Sequence, residues 1–161
     1  MPQKNKIKSR TQLIKIAGSL KKRGKQIVFT NGCFDILHKG HIKLLEKSKS
    51  LGDVLIVAIN SDRSVKKIKG PKRPLNTQQD RAIIVAALSS VDFVTLFDEP
   101  TPENLIKKIN PDILVKGGDW KKEKIVGARH VESYGGKVYS IKLVKGYSTS
   151  QFIHNIIKRF A

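Results

Sequence analysis

Five short apolar runs, each followed by a stretch of helical spacing, limit the folds open to this chain more than any other feature. The runs are Gln26 to Thr30, Val54 to Asn60, Phe93 to Phe97, Ile113 to Lys116 and Lys137 to Leu143. They have the length and near-continuous apolar character of strands buried on both faces of a parallel sheet. Between them the pattern predicts helices. Leu13, Ile14, Ala17 and Leu20 recur at helical spacing before a stop at Gly24, and residues 43–50 form a helix ended near Gly52. Thr77 caps a helix through Ile83, Ile84, Ala87 and Leu88, and Thr101 starts another with Pro102 at its first helical position. Lys122 to Tyr134 and Ser148 to Arg159 are the last two, while Ser61 to Asn76, rich in Lys, Gly and Pro, reads as a polar loop. Strands alternating with helices, joined by right-handed crossovers, give an α/β fold: a doubly wound, mainly parallel, five-stranded Rossmann-like sheet with helices on both faces. Residues 1–24 read as an N-terminal helical appendage and residues 25–161 as one domain.

Such sheets bind ligands beyond the carboxyl ends of the strands, where the strand order reverses. Attention therefore falls on the loops after Thr30, Asn60, Phe97, Lys116 and Leu143. Composition narrows the classes of ligand. No apolar run approaches the roughly 20 residues that span a bilayer, and the basic stretch from Met1 to Arg10 lacks the apolar segment of a signal peptide. The single cysteine, Cys33, excludes an intramolecular disulfide and a cysteine-based zinc cluster. A cytoplasmic protein with no membrane partner is expected. The net charge of +19 comes from 32 Lys and Arg against 13 Asp and Glu. Lysines are scattered in pairs along the chain, with no recognition helix, finger or aromatic platform beside them. They imply a generally basic surface that gathers anionic substrates, and no nucleic-acid partner.

The first of these loops, residues 30–41, reads TNGCFDILHKGH. Its two imidazoles, His38 and His41, sit at the start of the next helix, where backbone amides favour anions. Gly32 lets the backbone approach a phosphate or base closely. Two histidines aimed at one phosphate donate hydrogen bonds to charge growing on its equatorial oxygens. As metal ligands they lack a third partner, the next histidine being His130, so no protein-held metal is expected. As caps they are simply the first residues of a helix.

Residues 32–41 resemble the signature of the cytidylyltransferase-like family, and residues 145–150, KGYSTS, resemble that family's serine/threonine motif before the last helix. The resemblance runs from about Lys25 to Phe160. Residues 57–62 (VAINSD), 69–76 (KGPKRPLN), Arg81 and 114–120 (LVKGGDW) are similar to one branch, the D-glycero-β-D-manno-heptose 1-phosphate adenylyltransferases. That branch occurs alone or beside a sugar kinase, and the kinase half is not matched here. Cys33 stands where Val or Thr is common, and Tyr147 precedes the Ser-Thr pair.

The resemblance implies that a phosphate oxygen of the acceptor attacks the α-phosphorus of ATP in line and that pyrophosphate leaves. The acceptor is already an anion, so catalysis rests on positioning and charge stabilisation. His38 and His41 then hold the triphosphate and stabilise the transition state, with Arg81 acting on the sugar phosphate or the leaving group. The nucleotide would be bound by Thr30, Asn31, Gly32, Cys33 and Phe34 of the first loop. Lys116, Gly117 and Asp119 would hold it from the fourth, and Tyr147, Ser148, Thr149 and Ser150 from the last motif. On the acceptor side stand Asp35, Asn60, Lys69, Lys72, Arg73, Arg81 and Trp120. Lys69, Lys72 and Arg73 either clamp the pyrophosphate end or are solvated surface charge. Asp119 either bonds a sugar hydroxyl or closes a turn after Gly118, and Asp35 either holds its loop or touches the acceptor. Trp120 either walls the nucleotide site or is an exposed contact. Mg²⁺ is expected to arrive with ATP, with few protein ligands. The expected partners are ATP, a sugar phosphate and a second copy in a homodimer. A cytidylyltransferase for glycerol 3-phosphate, an adenylyltransferase for a pantetheine phosphate and an RNA-binding module are the alternatives.

Overall fold

Strand β1 (Ile27–Gly32) lies at the centre of the sheet because it carries alternating side chains that are buried on both faces. Ile27 and Phe29 point into one apolar layer, and Val28 into the other. The computed structural model describes residues 3–118, 120–142, 144 and 146–160. Around β1 run β2 (Val54–Asn60), β3 (Phe93–Phe97), β4 (Ile113–Gly117) and β5 (Lys137–Ile141), in the order β3-β2-β1-β4-β5, and every pairing is parallel. The same alternation runs through β2, where Ile56 and Ala58 face one layer and Leu55, Val57 and Ile59 the other.

Helices α2 (Arg10–Lys22), α6 (Glu103–Ile109) and α7 (Ala128–Ser133) cover the first face through Leu13, Ala17, Ile106 and Val131. Helices α3 (Lys39–Lys49) and α5 (Gln78–Ala86) cover the second through Leu44, Leu45, Ala82 and Val85. A one-turn helix α1 (Gln3–Lys6) precedes them, and Ile7 makes a parallel bridge to Val94. The α2 helix is started by a reciprocal cap: Gln12 N–H donates to Ser9 Oγ at 3.2 Å, and Ser9 N–H donates to the Gln12 side chain at 3.0 Å. Such a cap is worth about 1 kcal/mol. Arg10 adds a bidentate pair to Glu99, both bonds at 2.7 Å. The segment set apart by sequence as an appendage thus shares the core of the sheet.

Several local features differ from the sequence reading. Residues 61–69 hold a helix, α4 (Asp62–Lys69), capped by Ser61, where a loop was expected. Its exposed face is almost wholly polar and only Ser64 and Val65 are buried, so it offers no apolar periodicity to read. Pro102 is the N-cap of α6, one position before the first helical residue. The helix expected over Lys122 to Tyr134 is broken into a 3₁₀ turn (Lys122–Lys124) and α7. Between them Ile125 enters the core and Gly127 takes φ +86°, with the Ile106 side chain where a Cβ would stand, 2.8 Å away. The last helix, α8 (Thr149–Phe160), starts one residue late because Ser148 caps it, its Oγ accepting from Gln151 N–H at 3.1 Å. Strand β5 ends at Ile141, and Leu143 lies outside the described residues.

The amino ends of the strands are sealed by carboxylates. Asp53, Asp92 and Asp112 accept from the backbone amides of Gln26, Leu55 and Ile27 at 2.8, 2.7 and 2.8 Å. The carboxyl ends are left open. Because Leu13 is wholly buried, Leu13→Ala is expected to remove roughly 2–5 kcal/mol of stability. Urea denaturation should show a lower midpoint with an unchanged slope. A loss below about 0.5 kcal/mol would place α2 outside the core.

Candidate active site

Strands β1 and β4 are hydrogen-bonded at Val28, Phe29 and Thr30 only, opposite Ile113, Leu114 and Val115. Beyond Thr30 they part, since β2 and β3 lie on one side of β1, and β4 and β5 on the other. This is the topological switch at which such sheets take ligands. An open cleft of about 580 Å³ lies there. Lys116 reaches across the gap from β4, its Nζ 3.4 Å from the side-chain oxygen of Asn31 on β1. Burial pushes the Lys116 ammonium below its ordinary pKa, against an opposing effect of Cys33 and with a lesser lowering from Lys69.

The loop after β1 folds around two glycines. At Gly32 a Cβ would meet the Phe34 ring at 2.9 Å. The room read from sequence as access for a phosphate is therefore taken by that ring. Phe34 itself sits at φ +48°, a left-handed conformation costing a non-glycine residue roughly 1–2 kcal/mol. Its buried ring backs His41, with centroids 5.3 Å apart. Gly40, in the first turn of α3, is crowded by the His38 ring, whose Nδ1 would lie 3.0 Å from a Cβ. His38 is the N-cap of α3, with extended backbone angles and no cap bond from its side chain.

Folded in this way, His38 and His41 stack face to face at 3.8 Å with 19° between planes. Such a contact suits two neutral rings and opposes two charged ones. Burial lowers the pKa of His38, and burial reinforced by the charge of His38 lowers that of His41 to about 4. Neither Nδ1 has a hydrogen-bond partner among the described residues. Leaving a buried polar atom unpaired costs about 1–3 kcal/mol, a cost found where the group serves a ligand. The α8 end of the cleft closes on the same pair. Phe152 stacks on His38 at 6.0 Å and 9°, Tyr147 lies 6.2 Å from it, and Thr149 Oγ1 donates to the Ile36 carbonyl at 3.4 Å.

Most of the residues selected from sequence meet in this cleft. Asn31, Gly32, Cys33 and Phe34 line it from β1 and its loop, with His38 and His41, and Lys116 and Gly117 from β4. Tyr147, Ser148, Thr149 and Ser150 line it from the last motif, and Asp35, Asn60, Lys69, Arg73 and Trp120 from the remaining loops. Cys33 donates weakly to the Asn60 side-chain oxygen, at 3.9 Å, and its thiol pKa is raised by burial. Trp120 is half exposed at the rim, its indole N–H donating to the Gly117 carbonyl at 3.2 Å.

Three selected residues are placed elsewhere, and Asp119 lies outside the described residues. Thr30 is wholly buried in the sheet. Lys72 is exposed and does not line the cleft. Arg81, read as acting on phosphate, has no exposed surface. Its guanidinium donates to the carbonyls of Asn76, Cys33 and Asn60 and to Asp62, so four of its N–H groups are occupied by the chain. It is a strut that fastens the ends of β1 and β2 to the segment before α5. The sequence reading missed Asn76, which joins this strut to Asp35. Its N–H donates to the Asp35 carboxylate at 2.9 Å, and its side-chain amide to the Asp35 carbonyl. A polar residue just before the Thr77 cap was the available signal. Among the described residues no group of three His, Cys, Asp or Glu side chains could hold a metal ion. No helix among the described residues is long and apolar enough to cross a membrane.

A parallel sheet that opens at its switch point onto two neutral imidazoles, with lysines beside them, has the arrangement of a nucleotidyltransferase. The chain belongs to the cytidylyltransferase-like family, whose model matches residues 29–155. The bifunctional protein HldE of Syntrophotalea carbinolica is 52% identical over 156 residues, covering 97% of this chain and 32% of that one. The bifunctional protein HldE of Nitratiruptor sp. is 51% identical over 155 residues, covering 96% and 33%. The chain spans about a third of the length of these curated relatives. Among solved structures, the lipopolysaccharide core biosynthesis protein from Thermoplasma volcanium is 32% identical with a TM-score of 0.61, over 78% of this chain and 100% of that one. The pantoate-beta-alanine ligase from Francisella tularensis shares the fold, with a TM-score of 0.61 at 21% identity, over 94% and 78%.

The depressed pKa of His41 has a consequence for stability. The folded state holds the ring uncharged down to about pH 4, whereas the unfolded chain protonates it near 6.5. Its contribution is fully present above about 6.5 and is lost as pH falls toward 4. Urea denaturation between pH 7 and pH 4 should show a steeper loss for the wild type than for His41→Asn. Parallel losses would contradict the assigned environment.

Proposed function

We propose that this chain transfers the adenylyl group of ATP to D-glycero-β-D-manno-heptose 1-phosphate, giving ADP-heptose and pyrophosphate for the inner core of lipopolysaccharide. The observation that carries the chemistry is the stacked, uncharged histidine pair at the start of α3 in a cleft lined by cations. The acceptor is supported by the branch resemblance of residues 57–62, 69–76 and 114–120, and by relatives named HldE and lipopolysaccharide core biosynthesis protein.

In this reaction an oxygen of the acceptor's phosphate forms the bond to the α-phosphorus. The bond from that phosphorus to the bridging oxygen breaks, and pyrophosphate leaves with the electron pair. The attacking oxygen is anionic at neutral pH, so no proton need be removed. Each neutral imidazole still carries one N–H, and the two are close enough to serve neighbouring oxygens of one phosphate. Donors of this kind act on charge that grows in the transition state. Negative phosphates beside His41 raise its pKa again, which strengthens the bond as charge develops. Lys116 and Lys69 neutralise the polyphosphate, and the capped amino end of α8 offers backbone amides. ATP enters as its magnesium complex. The cleft lining offers one carboxylate among the described residues, Asp35, already bonded to Arg73, so the ion would be carried by the nucleotide and would draw few ligands from the chain.

The test is pyrophosphate release from ATP and Mg²⁺ with heptose 1-phosphate, beside glycerol 3-phosphate and a pantetheine phosphate, with CTP as the competing nucleotide. Release should require ATP and the heptose, and His41→Ala should lower it by about 10²–10³-fold at saturation. Faster turnover with CTP, or an undiminished His41→Ala variant, would contradict the proposal.

A further inference from the structure

The cleft holds an arginine whose orientation is fixed by a buried carboxylate. Asp35 has no exposed side-chain surface. Three N–H donors converge on it: Leu75 N–H, shared between the two oxygens at 2.8 and 3.0 Å, Asn76 N–H at 2.9 Å and Arg73 Nε at 2.6 Å. With these donors on it and no side-chain surface exposed, Asp35 is closed to a sugar hydroxyl. Of its two sequence-level roles, loop holder and acceptor contact, it performs the first.

Arg73 is placed differently. Its side chain is only 16% exposed, it lines the cleft, and its Nε–H is spent on Asp35. Both Nη groups have no partner among the described residues. A guanidinium confined in this way needs planar acceptors for its outer N–H groups, and phosphate oxygens match them in geometry and charge. Asp35 lies three residues before His38, on the same loop. The carboxylate therefore ties the histidine loop and the arginine to one frame, which Asn76 and Arg81 brace from behind.

We propose that Arg73 is a phosphate-binding residue of the cleft, with its outer guanidinium edge on phosphoryl oxygens, and that Asp35 is its positioning residue. The ligand chemistry is a phosphate, either the triphosphate tail or the acceptor's own phosphate. The proposal rests on the nucleotidyl-transfer reading of the cleft but not on which acceptor is used. Holding the fork in place beforehand removes most of the ordering that binding would otherwise demand.

Calorimetric binding to the full chain tests it, with MgATP in one arm and heptose 1-phosphate in the other. Arg73→Gln should weaken one arm by about ten- to a hundredfold and raise the corresponding KM. The arm affected identifies the phosphate. Arg73→Lys should recover only part of the loss, since it restores charge without the fork. Asp35→Asn should weaken the same arm in the wild-type background and have little further effect in the Arg73→Gln background. Unchanged affinity of Arg73→Gln for both ligands would overturn the assignment. Asp35→Asn acting with equal factor in both backgrounds would reduce Asp35 to a fold residue. If Asp35→Asn fails to fold, the Gln and Lys variants of Arg73 decide the arginine alone. If the wild type binds neither ligand, the nucleotidyl-transfer reading falls, and this proposal with it. Loss in the MgATP arm without turnover of heptose 1-phosphate would remove that acceptor and leave Arg73 in place.

Discussion

The parting of β1 and β4 is the constraint on which the site depends. A strand at the centre of a parallel sheet whose order reverses there cannot keep both neighbours to its end. β1 stays paired to β2 through Gly32 and Ile59 but leaves β4 after Thr30 and Val115. The gap exposes the last residues of both strands, and the loops that leave them supply the walls. At the opposite edge, Asp53, Asp92 and Asp112 close the sheet on the backbone amides of Gln26, Leu55 and Ile27. Lys69, Lys116 and Lys124 line the open edge. An anion approaching the molecule is drawn to the open edge by a field that the +19 net charge reinforces.

Within the cleft, burial does two things at once. It keeps His38 and His41 uncharged, which lets them stack at 3.8 Å, and it strengthens any hydrogen bond they make to a developing charge. The buried charges nearby, Arg81 and Asp35, are held by several bonds each to the chain. Removing one partner from such a set costs about 3–5 kcal/mol, far more than a surface pair is worth. These groups carry little net stability beyond what apolar substitutes would give. Their use is geometric: they hold the β1 loop, the end of β2 and residues 73–76 in one arrangement.

All five strands were legible in the sequence because their apolar runs are short, bounded and rich in β-branched residues. The glycine-spaced histidines were legible because a strand-to-helix junction leaves few other uses for that pattern. Helix α4 was not, since Asp62–Lys69 buries only Ser64 and Val65, and its other apolar residue, Ile68, is exposed. The break before α7 depends on Ile106, some twenty residues away in the chain, which no local pattern contains. Arg81 was misplaced for a related reason. An arginine in a phosphate-handling sequence looks like a ligand group, and only the folded chain reveals three carbonyls and a carboxylate converging on it. Asn76 was overlooked because its partners, Asp35 and Arg81, come from opposite sides in sequence.

The central claim is that His38 and His41 together form the phosphate-facing pair of a nucleotide site. Histidine ring resonances in a ¹⁵N-labelled sample, followed as MgATP is added, test it directly. The chain has four histidines, and His130 is already held by Asn110 at 2.6 Å and does not line the cleft. The account predicts that the His38 and His41 signals move together with one binding curve while His130 stays still. Saturation by MgATP with both rings unmoved would contradict it.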